Sequence, residues 1–336
     1  MITWLEVAIL QPWRYLAPQK VLIFLVNLFN HMTFSYTIHA FRSIARYQLA
    51  VWDIVKARYD QLVIRDSGKK RFRINWKLVD TEKPSLLDSL LLNRVLLKKE
   101  SQGANVFSRS WNFLSSFVDV MWHADMFIVA GHDTTTASIS WTLYSLAHHL
   151  EVQERAREEV FQYLEDLKNM GEVPNVMNLK RLPYLECCIK EALRLHPVAP
   201  FLGRLGQAEL PVSVDGTSIP AQVDVTVFYD YAHRQEKYFP NSSKYKPERY
   251  MGKTNFLTTF DLDAQVDPNR ASFPFSLGER NCLGQQYAMS QMKLLLVRLL
   301  SNFEIHSLPE EENVVDEHHF LTKPPRFPVK IVKLKV

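Results

Sequence analysis

One cysteine in this chain stands in a setting that favours its anionic form. In the stretch FPFSLGERNCLGQQYA, residues 273–288, Gly278 lies four residues before Cys282 and Gly284 two residues after it, with Arg280 between them and an apolar helical run behind. Gly278 permits a tight turn. A side chain just before a helix meets unpaired N–H groups and the positive end of the helix dipole, which stabilise a thiolate over a thiol. Arg280 adds a nearby cation. A thiolate held this way is a nucleophile or a metal ligand; the bland alternative is a buried cysteine acting as a small apolar side chain. The nucleophile reading needs a base, and His196 or His233 could serve only if the fold brought one of them close. A phosphatase-type loop would carry its arginine after the cysteine, not before it.

A closed zinc site would need further ligands spaced as CxxC or HxxxH, and the chain has neither. What remains on the metal side is an ion whose other ligands come from a cofactor, and haem iron held by one axial thiolate fits that description.

The elements that would position such a site are mostly helical. Apolar residues recur at helical spacing through about 34–62 and again in PSLLDSLLLNRV, residues 84–95. From about Ser115 to Leu150 no proline interrupts the chain, which predicts a helix of about 30 residues, on the order of 45 Å long. Gly131 and Thr134–Thr136 place weak helix formers in its middle, so a local opening is expected there. A charged amphipathic helix follows over 151–168, then YLECCIKEALRLH after Pro183, closed by Pro197 and Pro200. Residues 201–228 alternate short β-branched runs with Asp215-Gly216 and Pro220, a pattern of small strands and turns. A proline-punctuated irregular segment spans 239–280, the last helix is expected over roughly 283–304, and the tail ends in one or two short strands. No βαβ alternation is present, so the fold class is mainly α with small β-sheets.

Composition sets the surroundings. With 336 residues, 47% hydrophobic, 12% aromatic and only 10 glycines, the chain favours a large helical core over disorder. Three cysteines, two of them adjacent, point to a reduced, cytosol-facing setting and not to a disulfide framework. The net charge is +4, and the run GKKRFR at 68–73 reads as a solvated loop, with no nucleic-acid recognition motif beside it. Residues 21–41 carry no Lys, Arg, Asp or Glu, yet polar residues crowd their second half. They read as an amphipathic or core helix pair able to touch a bilayer. No secretory signal or transit peptide is visible at Met1.

Four motifs carry a resemblance. Phe275-Ser-Leu-Gly278-Glu-Arg280-Asn-Cys282-Leu-Gly284 resembles the haem-ligand signature of the cytochrome P-450 monooxygenases, with every fixed position matched. Ala130-Gly131-His132-Asp133-Thr134-Thr135 is similar to that family's oxygen-activation motif, Glu191-Ala-Leu-Arg194 to its Glu-x-x-Arg, and Pro247-Glu248-Arg249-Tyr250 to its Pro-Glu-Arg-Phe, with tyrosine for phenylalanine. The resemblance covers nearly the whole chain, strongly from about 120 to 305.

It implies the cytochrome P-450 fold as a single domain over 1–336, incomplete at the N-terminus, with a haem-binding core at about 115–305. The expected cofactor is haem b, iron protoporphyrin IX, with Cys282 as the axial ligand. By the same resemblance Phe275 packs near the sulfur, Gly278 turns the loop, Arg280 and Arg204 face the propionates, and Gly131 leaves room above the porphyrin. Asp133 and Thr134 would relay protons to dioxygen, because a hydroxyl beside an acid offers a path from solvent. Glu191, Arg194 and Arg249 would form a buried ion network behind the haem. GHDTTTAS and RNCLGQQYA look closest to the animal branch that oxidises fatty acids at their chain ends, with sterol and xenobiotic oxidisers next; Ala130 stands where many of that branch carry a haem-esterifying glutamate. The implied activity inserts one oxygen atom of O2 into a lipophilic small-molecule substrate with electrons from an NADPH-dependent flavoprotein reductase docked on the basic face behind Cys282. The implied location is the cytosolic face of the endoplasmic reticulum membrane surface, with the anchor helix and first strands absent from this chain and no nucleic acid involved. The alternative is a truncated, catalytically silent haem-binding or partner-binding protein.

Overall fold

The computed structural model describes residues 34–65, 72–80, 84–93, 106–204, 212–214, 216–251, 271–308, 317–318, 321–324 and 327–334. Most of the apolar stretch 21–41 and residues 68–71 of the basic run lie outside them. The Cα positions group into two compact units, Met1–Ala130 and Gly131–Val336.

In the first unit, α1 (Phe34–Leu62) leads into the antiparallel strands β1 (Val63–Arg65) and β2 (Phe72–Ile74), then α2 (Leu86–Leu91). Val51, Val55, Tyr59 and Leu62 lie three or four residues apart, so they form one stripe of α1, and this stripe packs with Val79, Leu91, Phe117 and Val120. Ser85 caps α2 by accepting the Asp88 N–H at 3.1 Å. The Arg58 guanidinium grips Asp88 through two bonds of 2.6 and 2.9 Å and holds its carboxyl below the usual range. Of the 84–95 stretch expected to be helical, Leu86–Leu91 are wound as α-helix and Leu92 and Asn93 continue as a wider π-helical turn, while 94–95 lie outside the described residues.

α3 (Val106–His148) is 43 residues long. It starts about nine residues earlier than the sequence pattern suggested, because Ser108, Ser110 and Asn112 are weak helix formers that a long hydrophobic helix can nonetheless carry. It also stays helical through Gly131 and Thr134–Thr136, against the expected opening. The hydroxyls there bond back along the helix instead of opening it. Ser138 donates to the Thr134 carbonyl at 2.8 Å, Thr142 to Ser138 at 2.8 Å and Ser145 to Trp141 at 2.9 Å. Each carbonyl has two lone pairs and accepts the hydroxyl beside its backbone bond.

The second unit adds α4 (Leu150–Met170) and α5 (Pro183–Leu195), the strands β3 (Phe201–Arg204), β4 (Val212–Val214), β5 (Thr217–Ile219) and β6 (Val225–Phe228), and the short α6 (Tyr229–His233). It ends with α7 (Gln285–Leu300), β7 (Phe303–Ser307), β8 (Glu317–His318), β9 (Thr322–Lys323) and β10 (Val329–Lys333). Among the described residues the strands pair as two-stranded antiparallel ribbons, β3 with β6, β4 with β5, β7 with β10 and β8 with β9. The core is helical: Trp141 and Leu146 of α3, Val160 and Leu167 of α4, Leu185 and Ile189 of α5, and Met292 and Leu296 of α7.

Two details hold these helices in register. α4 stops at Gly171, whose φ of 68° lets the Glu172 N–H reach the Leu167 carbonyl at 2.9 Å and the Gly171 N–H that of Lys168 at 3.1 Å. Gln153, fully buried, donates to the carbonyls of Leu146 and Ile305 at 2.9 and 2.7 Å and accepts the Ile305 N–H at 2.9 Å, which fastens α4 to β7. The first turn of α5 is held from α4 as well: Glu159 accepts the N–H groups of Tyr184 and Leu185, both at 2.8 Å. Those donors have no partner inside their own helix.

Candidate functional site

The Cys282 loop is a tight hairpin-like turn closed on its own backbone. Ser276 and Gly278 take φ of 64° and 81°, the left-handed region, which turns the chain sharply; glycine adopts it freely and serine only under constraint. The Cys282 N–H donates to the Phe275 carbonyl at 2.8 Å and the Asn281 N–H to Gly278 at 3.1 Å. Phe275 packs against the helical core, so the loop is anchored at one end, while the Cys282 side chain is exposed. Helix α7 begins three residues later, with the Ala288 N–H on the Gly284 carbonyl at 2.8 Å. The start at 285 instead of 283 leaves Leu283, 79% exposed, and Gly284 in the turn.

Arg204, at the end of β3, reaches this loop: its Nη2 donates to Ser276 Oγ at 2.7 Å. Arg280 is exposed on the same turn. In the second unit's portion of α3, Gly131 is exposed, and a Cβ built there would meet nothing within 4 Å. Asp133 Oδ1 lies 2.9 Å from His132 Nδ1, and Thr134 is half-buried one residue on.

Glu191, Arg194 and Arg249 meet in one ion network. Arg194 binds Glu191 in a fork, Nε to Oε2 at 2.8 Å and Nη2 to Oε1 at 2.9 Å, and Arg249 Nε reaches Oε1 at 3.0 Å. Glu191 and Arg194 are 0% exposed. Two guanidinium groups share one carboxylate, and the surplus positive charge is met by carbonyl oxygens. Arg194 donates to His233 and Ser242, each at 2.8 Å, and Arg249 to Pro240 and Asn241 at 2.6 and 2.7 Å. The Lys246 N–H adds a bond to Glu191 at 3.0 Å. Every charge is thus paired or hydrogen-bonded, the condition under which burial is tolerated. Apart from His233, the last residue of α6, these carbonyls belong to the irregular segment between α6 and the short 3-10 turn Pro247–Tyr250, which the network pins to α5.

The two histidines considered as bases are not placed to serve. His196 lies flat on Trp141, with ring centroids 3.8 Å apart. His233 is buried, and its Nε2 accepts the Phe273 N–H at 3.1 Å. Burial first, then the Arg194 charge, lowers the His233 pKa from 6.5 to about 4, with Asp230 opposing and Arg234 assisting. The folded chain therefore declines a proton that the unfolded chain accepts between those values. Stability is full above pH 6.5 and falls as the pH drops toward 4. Urea midpoints measured across that window should decline, and His233→Gln should flatten the decline. Sequence reasoning missed this residue's structural part, as it missed Gln153 and Glu159; a lone histidine in YDYAHRQ gives no pattern to read.

Among the described residues no helix is long and apolar enough to cross a membrane, and no group of three or more His, Cys, Asp or Glu could hold a metal ion. Cys282 is a free cysteine on an exposed turn.

Comparison with known proteins agrees with this geometry. The sequence model of the family described as Cytochrome P450 matches residues 24–331. The chain is 36% identical over 225 residues to human cytochrome P450 4F12, covering 67% of this chain and 38% of that protein. It is 31% identical over 299 residues to human cytochrome P450 4A11, covering 89% and 49%. It is 34% identical over 229 residues to the taurochenodeoxycholic 6 alpha-hydroxylase of pig, covering 64% and 42%. The chain thus spans between two-fifths and half the length of these relatives. A mainly helical architecture with small antiparallel ribbons, the four motifs on the elements expected to carry them and a match over most of the sequence lead to one assignment: the chain belongs to the cytochrome P450 family.

Proposed function

We propose that residues 1–336 form a single haem-thiolate monooxygenase domain, with a haem-binding core at about 115–305, that inserts one atom of O2 into a lipophilic substrate. The observation that carries this reading is the Cys282 turn, where one exposed sulfur is presented beside a backbone fixed by the Phe275 carbonyl.

The residues present fit haem b. Cys282 would be the protein's one thiolate ligand to the haem iron, whose other ligands the cofactor itself would supply. The open backbone at Gly131, where an added Cβ would meet nothing, suits a flat group approaching closely. Arg280 and Arg204 offer cations for its propionates. When bound, haem supplies reductive activation of O2, with one atom going to substrate and the other to water.

The chain's own part is binding, orientation and proton delivery. Cys282 Sγ would hold the haem iron and would donate negative charge to it; Phe275 anchors the turn that carries the sulfur and limits water on that side. Asp133 exchanges protons with solvent through its third-exposed side chain. Thr134, next in sequence, passes a proton inward by its hydroxyl. The substrate class follows from likeness to the 4A and 4F proteins and to a bile-acid hydroxylase: a fatty acid or a sterol-like amphiphile. An NADPH-dependent flavoprotein reductase and the cytosolic face of the endoplasmic reticulum membrane complete the proposal.

Reducing the purified chain under carbon monoxide tests it. A strongly red-shifted Soret band is expected, and an unshifted band would end the thiolate reading. With reductase and fatty acid, Thr134→Ala should lower product per NADPH by at least about tenfold, within the range set by loss of a general acid. Hydrogen peroxide should rise in step.

A further inference from the structure

The segment that carries Cys282 is held at its start by a residue from α6. The buried His233 ring accepts the Phe273 N–H through Nε2 at 3.1 Å, while the His233 backbone carbonyl accepts Arg194 Nη1 at 2.8 Å. One residue therefore faces the ion network with its main chain and the cysteine loop with its ring. We infer that His233 is a positioning residue that couples the Glu191–Arg194–Arg249 network to the Cys282 loop, setting the placement of the sulfur through an acceptor nitrogen at Phe273. The sulfur's role in this inference rests on the reading of Cys282 as haem ligand.

The path from His233 to the cysteine is short and made of backbone bonds. The Phe273 carbonyl accepts the Ser276 N–H at 2.9 Å, at the residue where the chain turns left-handed. The Phe275 carbonyl then accepts the Cys282 N–H at 2.8 Å. A shift at Phe273 is passed on at each of these points. The ring itself cannot swing freely, since Phe273 lies edge-on to it at 5.2 Å and Tyr229 lies nearly parallel at 6.1 Å.

The chemistry of the ring fits an acceptor and not a donor. To take an amide N–H, Nε2 must carry a lone pair, so the proton resides on Nδ1. Nδ1 is buried without a hydrogen-bond partner among the described residues. Leaving one ring nitrogen unpaired is unfavourable, and it persists where the arrangement on the other nitrogen is fixed by its surroundings. The depressed His233 pKa agrees, since a neutral ring is the form that can accept. The charged groups acting on it are Arg194 from α5, Asp230 from its own helix and Arg234 just beyond.

Two substitutions separate acceptor from shape. His233→Phe keeps a flat ring and removes the nitrogen; His233→Gln offers an amide oxygen at comparable reach. On the full chain as purified, amide hydrogen exchange at Phe273 and Cys282 should quicken about tenfold to a hundredfold in His233→Phe, the effect of leaving a buried donor unpaired. It should return to within about threefold of wild type in His233→Gln. In parallel, the fraction of reduced, carbon monoxide-bound protein showing the red-shifted Soret band should fall in His233→Phe and recover in His233→Gln. A His233→Phe chain that fails to fold beside a folded His233→Gln chain supports the acceptor role. Unchanged exchange in His233→Phe overturns it, and so does equal loss in both variants, folded or not, which would leave only packing. Wild-type protein lacking the shifted band while the exchange pattern holds would refute the haem reading and leave the His233–Phe273 link standing.

Discussion

Cys282→Ser leaves a folded protein that no longer gives the red-shifted carbon monoxide band and turns over substrate more than about a hundredfold more slowly, beyond the usual cost of losing an outer-shell partner of a metal ligand. The fold should hardly respond. The side chain is exposed, and the bonds that shape its turn run from its backbone N–H to Phe275 and from the Asn281 N–H to Gly278. Surface substitutions of this kind stay within about 0.5 kcal/mol of wild type. Urea denaturation of the two proteins should therefore superimpose while their spectra differ. A hydroxyl is a harder, less donating ligand than a thiolate, so a variant with wild-type spectrum would mean the sulfur is not bound to iron.

Glu191→Gln should have the opposite profile, with stability lost before chemistry is reached. The amide keeps the shape but removes the one carboxylate that, among the described residues, the Arg194 and Arg249 guanidinium groups bond. Breaking a buried pair by taking one partner costs about 3–5 kcal/mol, because the remaining charges are left inside without compensation. That is a large share of a domain's net stability, so soluble yield and haem retention should both collapse. Arg194→Lys should do nearly as badly: a lysine cannot reproduce the fork to Glu191 and also reach the carbonyls of His233 and Ser242. Arg249→Ala should be milder, since Arg194 still neutralises Glu191. Chemical denaturation of the three variants gives the order.

Much of this was visible before any coordinates. The Phe275–Gly284 stretch, the Glu191 and Arg194 pair and the long helix around Thr134 are local patterns: a residue spacing or a proline-free run is readable because its cause lies within a few turns of chain. Boundaries were less readable, as at α3, which is wound from Val106 although Ser108, Ser110 and Asn112 are weak helix formers. What could not be read is who meets whom across sequence. Glu159 satisfies amides 25 and 26 residues away, and Lys293 of α7 meets Glu186 of α5 at 2.6 Å. His233 looked like a possible base and proved to be a buried acceptor, because its partner is a backbone amide that carries no side-chain signature. The turn at Thr134–Thr136, which composition alone marked as weak, is wound as α-helix, and the Ser138 hydroxyl shares the Thr134 carbonyl there.

Gln153 bears on how such a chain is made. Its partner Ile305 lies 152 residues further on. At ribosomal rates of about 5–20 residues per second, roughly 8–30 seconds separate the two residues' synthesis. Through that interval α4 offers a carboxamide with nothing to hold at its far side, and the nascent helices remain open to solvent or to chaperones. The joint between α4 and β7 can therefore form only once Ile305 has been made.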